Sequence, residues 1–236
     1  LMGVLDKFTE PAQKAAQSHD CYIYPDLDSA LSEEPNIVSL AIHPEWRGEY
    51  LEKICQISSV RAIFCEKPLG YSATEAWEVV QLCQNKQKLL YVNFQRRGNL
   101  TYQQLSQEFQ KQTRGKLQNA IFYYTRGMWS NASHYIDLCL MFFGKPEWVW
   151  AHESPIPSPY PNDANATIIL GYPEFHVHLI PLLTPMDSFY SGDHEFIFEK
   201  EKLSIPNVSF YEDDDVRRWV SQKNLLTPIV PGITLH

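Results

Sequence analysis

The alternation of apolar and polar positions changes period once along this chain, near residue 100. Before that point, short continuous apolar runs at Leu1 to Leu5, Ile37 to Ile42, Ala62 to Cys65 and Lys88 to Phe94 are separated by segments of helical spacing. Uncharged runs of strand formers mark strands covered on both faces, as in a parallel sheet. Helices are predicted from Thr9 through about Ser18, from Asp26 to Glu33, from Glu49 to Ser58 and from Ser72 onward. In the last of these, Ser72 and Glu75 form a capping box, and Ala76, Val79, Val80 and Leu82 share one stripe. Cys21 to Pro25 reads as a short edge strand, and Asn99 to Gln112 as an amphipathic crossover helix at a domain junction.

From Lys116 the pattern turns to longer strands of period near two: Leu117 to Thr125, Glu147 to His152, Ala164 to Leu170, Phe175 to Leu182 and Glu195 to Glu199. One helix, His134 to Phe143, interrupts them and is stopped by Gly144 and Pro146. Ser154 to Asp163 contains Pro155, Pro157, Pro159 and Pro161 and reads as an extended connector. The run Glu212 to Asp215 and the tail after it read as surface structure. The pattern predicts an α/β domain followed by an α+β domain, an incomplete Rossmann-type parallel sheet at residues 1–98 and a mostly antiparallel open sheet at 99–236. The mixed outer face of that second sheet, with His176 and His178 alternating against Val177 and Leu179, predicts a homodimer or higher homo-oligomer built through it.

The stretch Arg61 to Gly70 organises the first domain. Its apolar strand delivers Glu66-Lys67 into Pro68, which removes a backbone donor and holds Lys67 extended, so Lys67 projects from the carboxyl end of a buried strand. In open α/β sheets ligands sit at that edge.

Composition narrows the function. Among 236 residues, 44% are hydrophobic and the formal net charge is -8, which fits a folded globular protein and argues against a nucleic-acid partner. No run approaches the roughly 18 apolar residues of a membrane span, and no signal peptide is visible, so a soluble cytoplasmic protein is expected. Cys21, Cys55, Cys65, Cys83 and Cys139 are scattered, without Cys-x-x-Cys or zinc-like spacing; buried thiols in a reducing compartment are expected, and no metal site.

Three motifs follow one another: Glu66-Lys67-Pro68, Val92-Asn93-Phe94-Gln95-Arg96-Arg97 and Ser133-His134-Tyr135-Ile136-Asp137. In this order and spacing they resemble the Gfo/Idh/MocA family, the glucose-fructose oxidoreductase and inositol dehydrogenase group, over about Leu1 to Leu203. The resemblance implies an NAD(P)-dependent oxidoreductase that transfers a hydride between a nicotinamide cofactor and a sugar, cyclitol or related secondary alcohol or ketone. It implies His134 as general base, Lys67 as its electrostatic partner and Asp137 as a substrate-orienting residue. Asp6, Ile42, His43, Pro44, Arg47, Glu66, Lys67, Pro68 and Asn93 would line the cofactor, with Asp6 on the adenosine ribose and favouring NAD slightly over NADP. Arg96, Arg97, Arg126, Trp129 and Asn131 are further candidates for the substrate side, the tryptophan stacking on a sugar and the arginines holding a carboxylate or phosphate.

The chain also departs from that pattern. The family's Thr-Pro-Asn-x-x-His appears here as Ile42-His43-Pro44 with Arg47 in the histidine's place, and Ser130 and Ala132 stand where the family often has an acid and a glycine. No Gly-x-Gly-x-x-Gly occurs among the ten glycines, so the sequence is expected to start late in the fold, with a gap between the strands holding Leu5 and Leu40. These departures leave a second expectation open, a catalytically silent member that binds a ligand or partner.

Overall fold

The computed structural model describes residues 1–160, 162–182, 193–205, 217–222 and 225–228, the last two stretches as backbone. The chain divides into two compact units, Leu1–Asn93 and Phe94–His236.

The first unit runs β1 (Gly3–Val4), α1 (Thr9–His19), β2 (Tyr22–Ile23), α2 (Leu27–Ser32), β3 (Ile37–Leu40), α3 (Pro44–Gln56), β4 (Ala62–Glu66), α4 (Ala73–Asn85) and β5 (Leu89–Asn93). All its strand pairs are parallel, but they fall into two separate sheets, β1-β2 and β3-β4-β5. The parallel strands are therefore interrupted where a gap was expected, between β1 and β3: among the described residues, the outer edge of β3 pairs with no strand.

The starts of α2, α3 and α4 have local causes. Asp26 accepts from the Ser29 amide at 2.7 Å, and Ser72 accepts from the Glu75 amide at 3.1 Å. Pro44 opens α3, because a first-turn residue needs no amide donor and its ring presets the helical φ. This corrects the expected start at Glu49 and turns the supposed loop around Arg47 into the first turns of a helix.

One face of β3-β4-β5 is buried. Leu40, Ile63 and Cys65 pack with Leu51, Ile54 and Cys55 of α3, Cys83 of α4 and Leu31 of α2. The other face carries Ile37, Phe64, Leu89 and Tyr91, and Ile37 and Leu89 are 69% and 74% exposed. The expectation that β4 is covered on both faces is thus corrected; Phe64 and Tyr91 cover each other instead, stacked at 5.0 Å.

The second unit begins with a short 3-10 turn, Gln95–Gly98, followed by α5 (Leu100–Gln110), β6 (Leu117–Tyr124), a π-helical turn at Met128–Ala132 and α6 (Ser133–Phe143). Seven more strands follow: β7 (Trp148–Glu153), β8 (Ala166–Gly171), β9 (His176–Pro181), β10 (His194–Phe198), β11 (Glu201–Ile205), β12 (Arg217–Gln222) and β13 (Leu225–Pro228). They form one eight-stranded sheet of order β13-β12-β11-β10-β6-β9-β8-β7, antiparallel except for the β6-β9 pair. β11 to β13 extend the sheet past the last strand anticipated from sequence; the acidic run Glu212 to Asp215 lies outside the described residues.

Two helices, not one, close the inner face. Tyr102 and Leu105 of α5 and Tyr135, Leu138 and Phe142 of α6 pack on Phe122, Ile168, Leu179, Phe196 and Leu203. The outer face is mixed, with Asn119, Ile121, His178, Ile180 and Ile197 half-buried, and the edge strand β7 exposes Trp148, Val149 and Trp150.

His194 lies within the aromatic core, 4.6 Å from Phe122 and 4.9 Å from Tyr135 between ring centroids, with Nε2 at 3.2 Å from the Tyr102 hydroxyl. Burial pushes its imidazole from the usual 6.5 down to about 3. The unfolded chain therefore takes up this proton first as pH falls, so full stability is present above the unfolded value and is lost at about 1.4 kcal/mol per pH unit below it. Urea unfolding at pH 7 and pH 5 is expected to show the stability advantage of the wild type over His194→Gln shrinking by about 2 kcal/mol. A pH-independent difference would contradict this.

Candidate functional site

Parallel register brings the carboxyl ends of β3, β4 and β5 to one edge of the first unit. Leu40 pairs with Cys65 and Glu66 with Asn93, so Ile42, Lys67 and Asn93 leave the sheet side by side. The Asn93 amide donates to the Glu66 carboxylate at 2.6 Å and locks two adjacent strand ends. The turn after Lys67 is pinned from its far side, where Glu75 accepts from the Tyr71 amide at 2.8 Å. Gly70 is required there, since a Cβ would lie 2.7 Å from that of Glu75.

Arg47 reaches this edge from within the fold. Its guanidinium donates to the carbonyl of Pro68 and, at 2.6 Å, to the carbonyl of Ile42. The β1-β2 sheet ends close by: the Lys7 ammonium sits 4.9 Å from the Trp46 ring centroid. Asp6, exposed beside Lys7, accepts from the Phe8 amide at 2.8 Å. His43 stands before α3 with its ring edge-on to Trp46.

These residues fit a dinucleotide at the strand ends. An exposed acid follows β1, and an imidazole, an ammonium and an amide stand at the ends of β3, β4 and β5. Arg47 is the member of the expected set that does not reach solvent.

In the second unit the elements around α6 gather most of the substrate-side candidates. His134 is buried at the second position of α6, with the Phe94 ring edge-on at 6.0 Å. One turn on, both oxygens of Asp137 accept from Arg97 Nε, at 2.9 and 2.7 Å. Two residues singled out separately in the sequence thus form one ion pair, in which the carboxylate is buried and the arginine side chain is 43% exposed. Arg96 is buried, its guanidinium 4.7 Å over the Tyr135 ring; it serves packing in the second unit.

Arg126 and Gly127 both take positive φ, 72° and 105°, immediately before the π-helical turn that carries Trp129 and Asn131. Such conformations persist where surrounding structure enforces them, and π-helical turns often mark functional sites. The enforcing group is Asp163, unnoticed in the sequence reading. Its buried carboxylate accepts from the amides of Trp129 at 2.6 Å and Ser130 at 2.8 Å and from the Ser130 hydroxyl at 2.5 Å. A Cβ on Gly127 would run into that carboxylate.

The described part of the Ser154 to Asp163 segment, residues 154–160 and 162–163, is therefore a folded loop and not an extended connector. Asn165 donates to the carbonyls of Ile156 and Pro157 at 3.2 Å, and Ser158 donates to that of Arg126 at 3.3 Å. An acid spaced more than thirty residues from its partners leaves no local signal. The only hint was Ser130 standing where the family often has an acid.

Among the described residues no cluster of three His, Cys, Asp or Glu side chains is arranged for a metal, and no helix is long and apolar enough to cross a membrane.

The first unit has the parallel strands and polar strand-end edge at which open α/β folds bind their ligands, and the second is built on an open mixed sheet. Residues 1–94 match the model of the Gfo/Idh/MocA oxidoreductase family, described as an NAD-binding Rossmann fold. No curated protein sequence matches the chain. Among solved structures, an NADPH-dependent oxidoreductase assignment from Desulfitobacterium hafniense is similar over 100% of this chain and 76% of its own, at 13% identity and TM-score 0.83. The WlbA dehydrogenase from Chromobacterium violaceum, in complex with NADH and UDP-GlcNAcA, is similar over 90% and 68%, at 18% identity and TM-score 0.72. UDP-N-acetylglucosamine 3-dehydrogenase GnnA from Acidithiobacillus ferrooxidans is similar over 98% and 75%, at 17% identity and TM-score 0.73. At these identities the likeness is one of fold.

The Asp163 carboxylate makes a checkable contribution. Asp163→Ala leaves two amides of the π-helical turn without their acceptor and is expected to lower the unfolding free energy by about 2–4 kcal/mol. Asp163→Asn, which keeps one acceptor, is expected to lose about half of that. Urea titration of both variants tests this, and equal, near-zero losses would contradict it.

Proposed function

We propose that the protein is an NAD(P)-dependent oxidoreductase acting on a sugar, cyclitol or related secondary alcohol or ketone. The observation that carries this reading is the family match of the first unit, in which His43, Lys67 and Asn93 follow or close β3, β4 and β5 and Asp6 follows β1. Asp6, Ile42, His43, Pro44, Glu66, Lys67, Pro68 and Asn93 would hold the dinucleotide. The bound nicotinamide would supply the hydride acceptor or donor. His134 would take the proton from the substrate hydroxyl oxygen, and the Lys67 ammonium would lower the cost of the alkoxide that develops there. Asp137, held by Arg97, would orient the substrate's neighbouring hydroxyl, with the exposed guanidinium completing the grip.

Trp129 and Asn131 would meet the sugar, and Arg126 an acidic group on it. The nucleotide sugars named with two of the similar structures support an anionic sugar derivative. Asp6 would bias the cofactor towards NAD, because a carboxylate repels a 2'-phosphate; Lys7 beside it would moderate the bias. Four buried free thiols, with Cys83 pushed up to about 12 by desolvation, suit a reducing cytoplasm. We also propose that the outer face of the second sheet joins two copies of the chain.

One observation favours a catalytically silent ligand-binding protein instead: His134 is only 4% exposed, which restricts its access to a substrate proton. His134→Asn separates the readings. The oxidoreductase predicts a fall in kcat of about 10²- to 10⁴-fold with cofactor affinity retained, whereas unchanged turnover or no turnover in the wild type would sink it. For the assembly, equilibrium sedimentation at micromolar concentration is expected to return the mass of a dimer or more; a monomer would contradict it.

A further inference from the structure

Arg47 occupies an unfavourable place for a lone cation. It lies one turn into α3, near the positive end of the helix dipole, and is 1% exposed. Its hydrogen bonds go to carbonyl oxygens and none to a carboxylate, and Nε finds no acceptor. Burial drives the guanidinium towards losing its proton, but a guanidinium stays charged in a protein. Glu66, the nearest carboxylate to bear on it, is held by Asn93. An apolar side chain of equal length would fill this space without the desolvation penalty.

The charge does one thing that an apolar side chain cannot do. It joins the carbonyl of Ile42, in the turn leaving β3, to the carbonyl of Pro68, in the turn leaving β4. The second of these carbonyls belongs to the residue directly after Lys67. The planar fork of a guanidinium suits this task, because two donors on one rigid group fix the separation of two acceptors.

We propose that Arg47 is a positioning residue of the strand-end edge: it ties the two turns together, sets where Lys67 is presented, and touches no ligand itself. This replaces the sequence expectation that Arg47 contacts the cofactor. It rests on the oxidoreductase reading only for the role given to Lys67.

Arg47→Met and Arg47→Lys in the full chain test the proposal, with NADH as the probe. Hydrogen exchange read by mass spectrometry is expected to quicken about tenfold or more at Glu66 to Tyr71 and Ile42 to Trp46 in Arg47→Met, while β5 stays protected and Arg47→Lys recovers part of the protection. NADH affinity is expected to fall only severalfold, because the loosened turns carry residues on the dinucleotide side, while kcat falls about ten- to a hundredfold because the edge is misplaced. Unchanged exchange at both turns overturns the clamp. So does a tenfold loss of NADH affinity with kcat intact, which makes Arg47 a contact residue. If the wild type binds no NADH, the oxidoreductase reading fails separately and the exchange comparison alone decides. Should Arg47→Met not fold, Arg47→Lys against wild type carries the same comparison, with faster exchange at the two turns expected and equal exchange overturning the clamp.

Discussion

Parallel register among β3, β4 and β5 is the constraint on which the first unit depends. Because the strands run the same way and start level, their carboxyl ends fall together, and each end is then fastened to its neighbour by a side chain. Asn93 holds Glu66, and Arg47 holds the two turns that β3 and β4 release. Fastening is needed because strand ends have left the hydrogen-bond ladder, and a turn without partners drifts at little cost. The helices lie on the buried face of this sheet, which leaves Ile37, Leu89 and Tyr91 open on the other. The unit is therefore stabilised from one side and exposes apolar surface on the other.

The second unit solves a different problem. Its sheet buries one face under α5 and α6 with a dense set of rings, and His194 is held neutral among them because a charged imidazole there would lack water. That rigid floor supports a loop of uncommon backbone geometry. Asp163 fills the mouth of the π-helical turn with a carboxylate where two amides point, much as a cap residue satisfies an ordinary helix start. Arg126, Trp129 and Asn131 are thereby displayed from a fixed frame, and α6 follows with His134 and the Arg97-Asp137 pair.

The parallel and open-sheet character of the two units was legible because periodicity reports burial directly. Continuous apolar runs identified β3, β4 and β5, and the Lys67-Pro68 junction marked where β4 ends. The same signal misled where composition outran context: the apolar residues of β4 suggested two covered faces, although Phe64 is sheltered mainly by Tyr91. Pro44 was read as part of a loop, when its commoner use as a first helical residue applied. Pairings over long sequence distances were not legible at all. Arg97 with Asp137, and Asp163 with Ser130, are contacts that only the folded chain creates, and neither spacing carries a pattern. The strands β11 to β13 were missed because short, polar-rich segments at a sheet edge alternate weakly.

The central claim is that a nicotinamide dinucleotide lies along the strand ends of the first unit. A crystal structure of the protein soaked with ~1 mM NADH, the upper range of ordinary substrate affinities, tests it most directly. The account predicts the nicotinamide half over the turns at His43 and Lys67, with polar contacts of about 3 Å, and the adenosine ribose beside Asp6. A dinucleotide bound elsewhere on the chain, or none bound at that concentration, would contradict it.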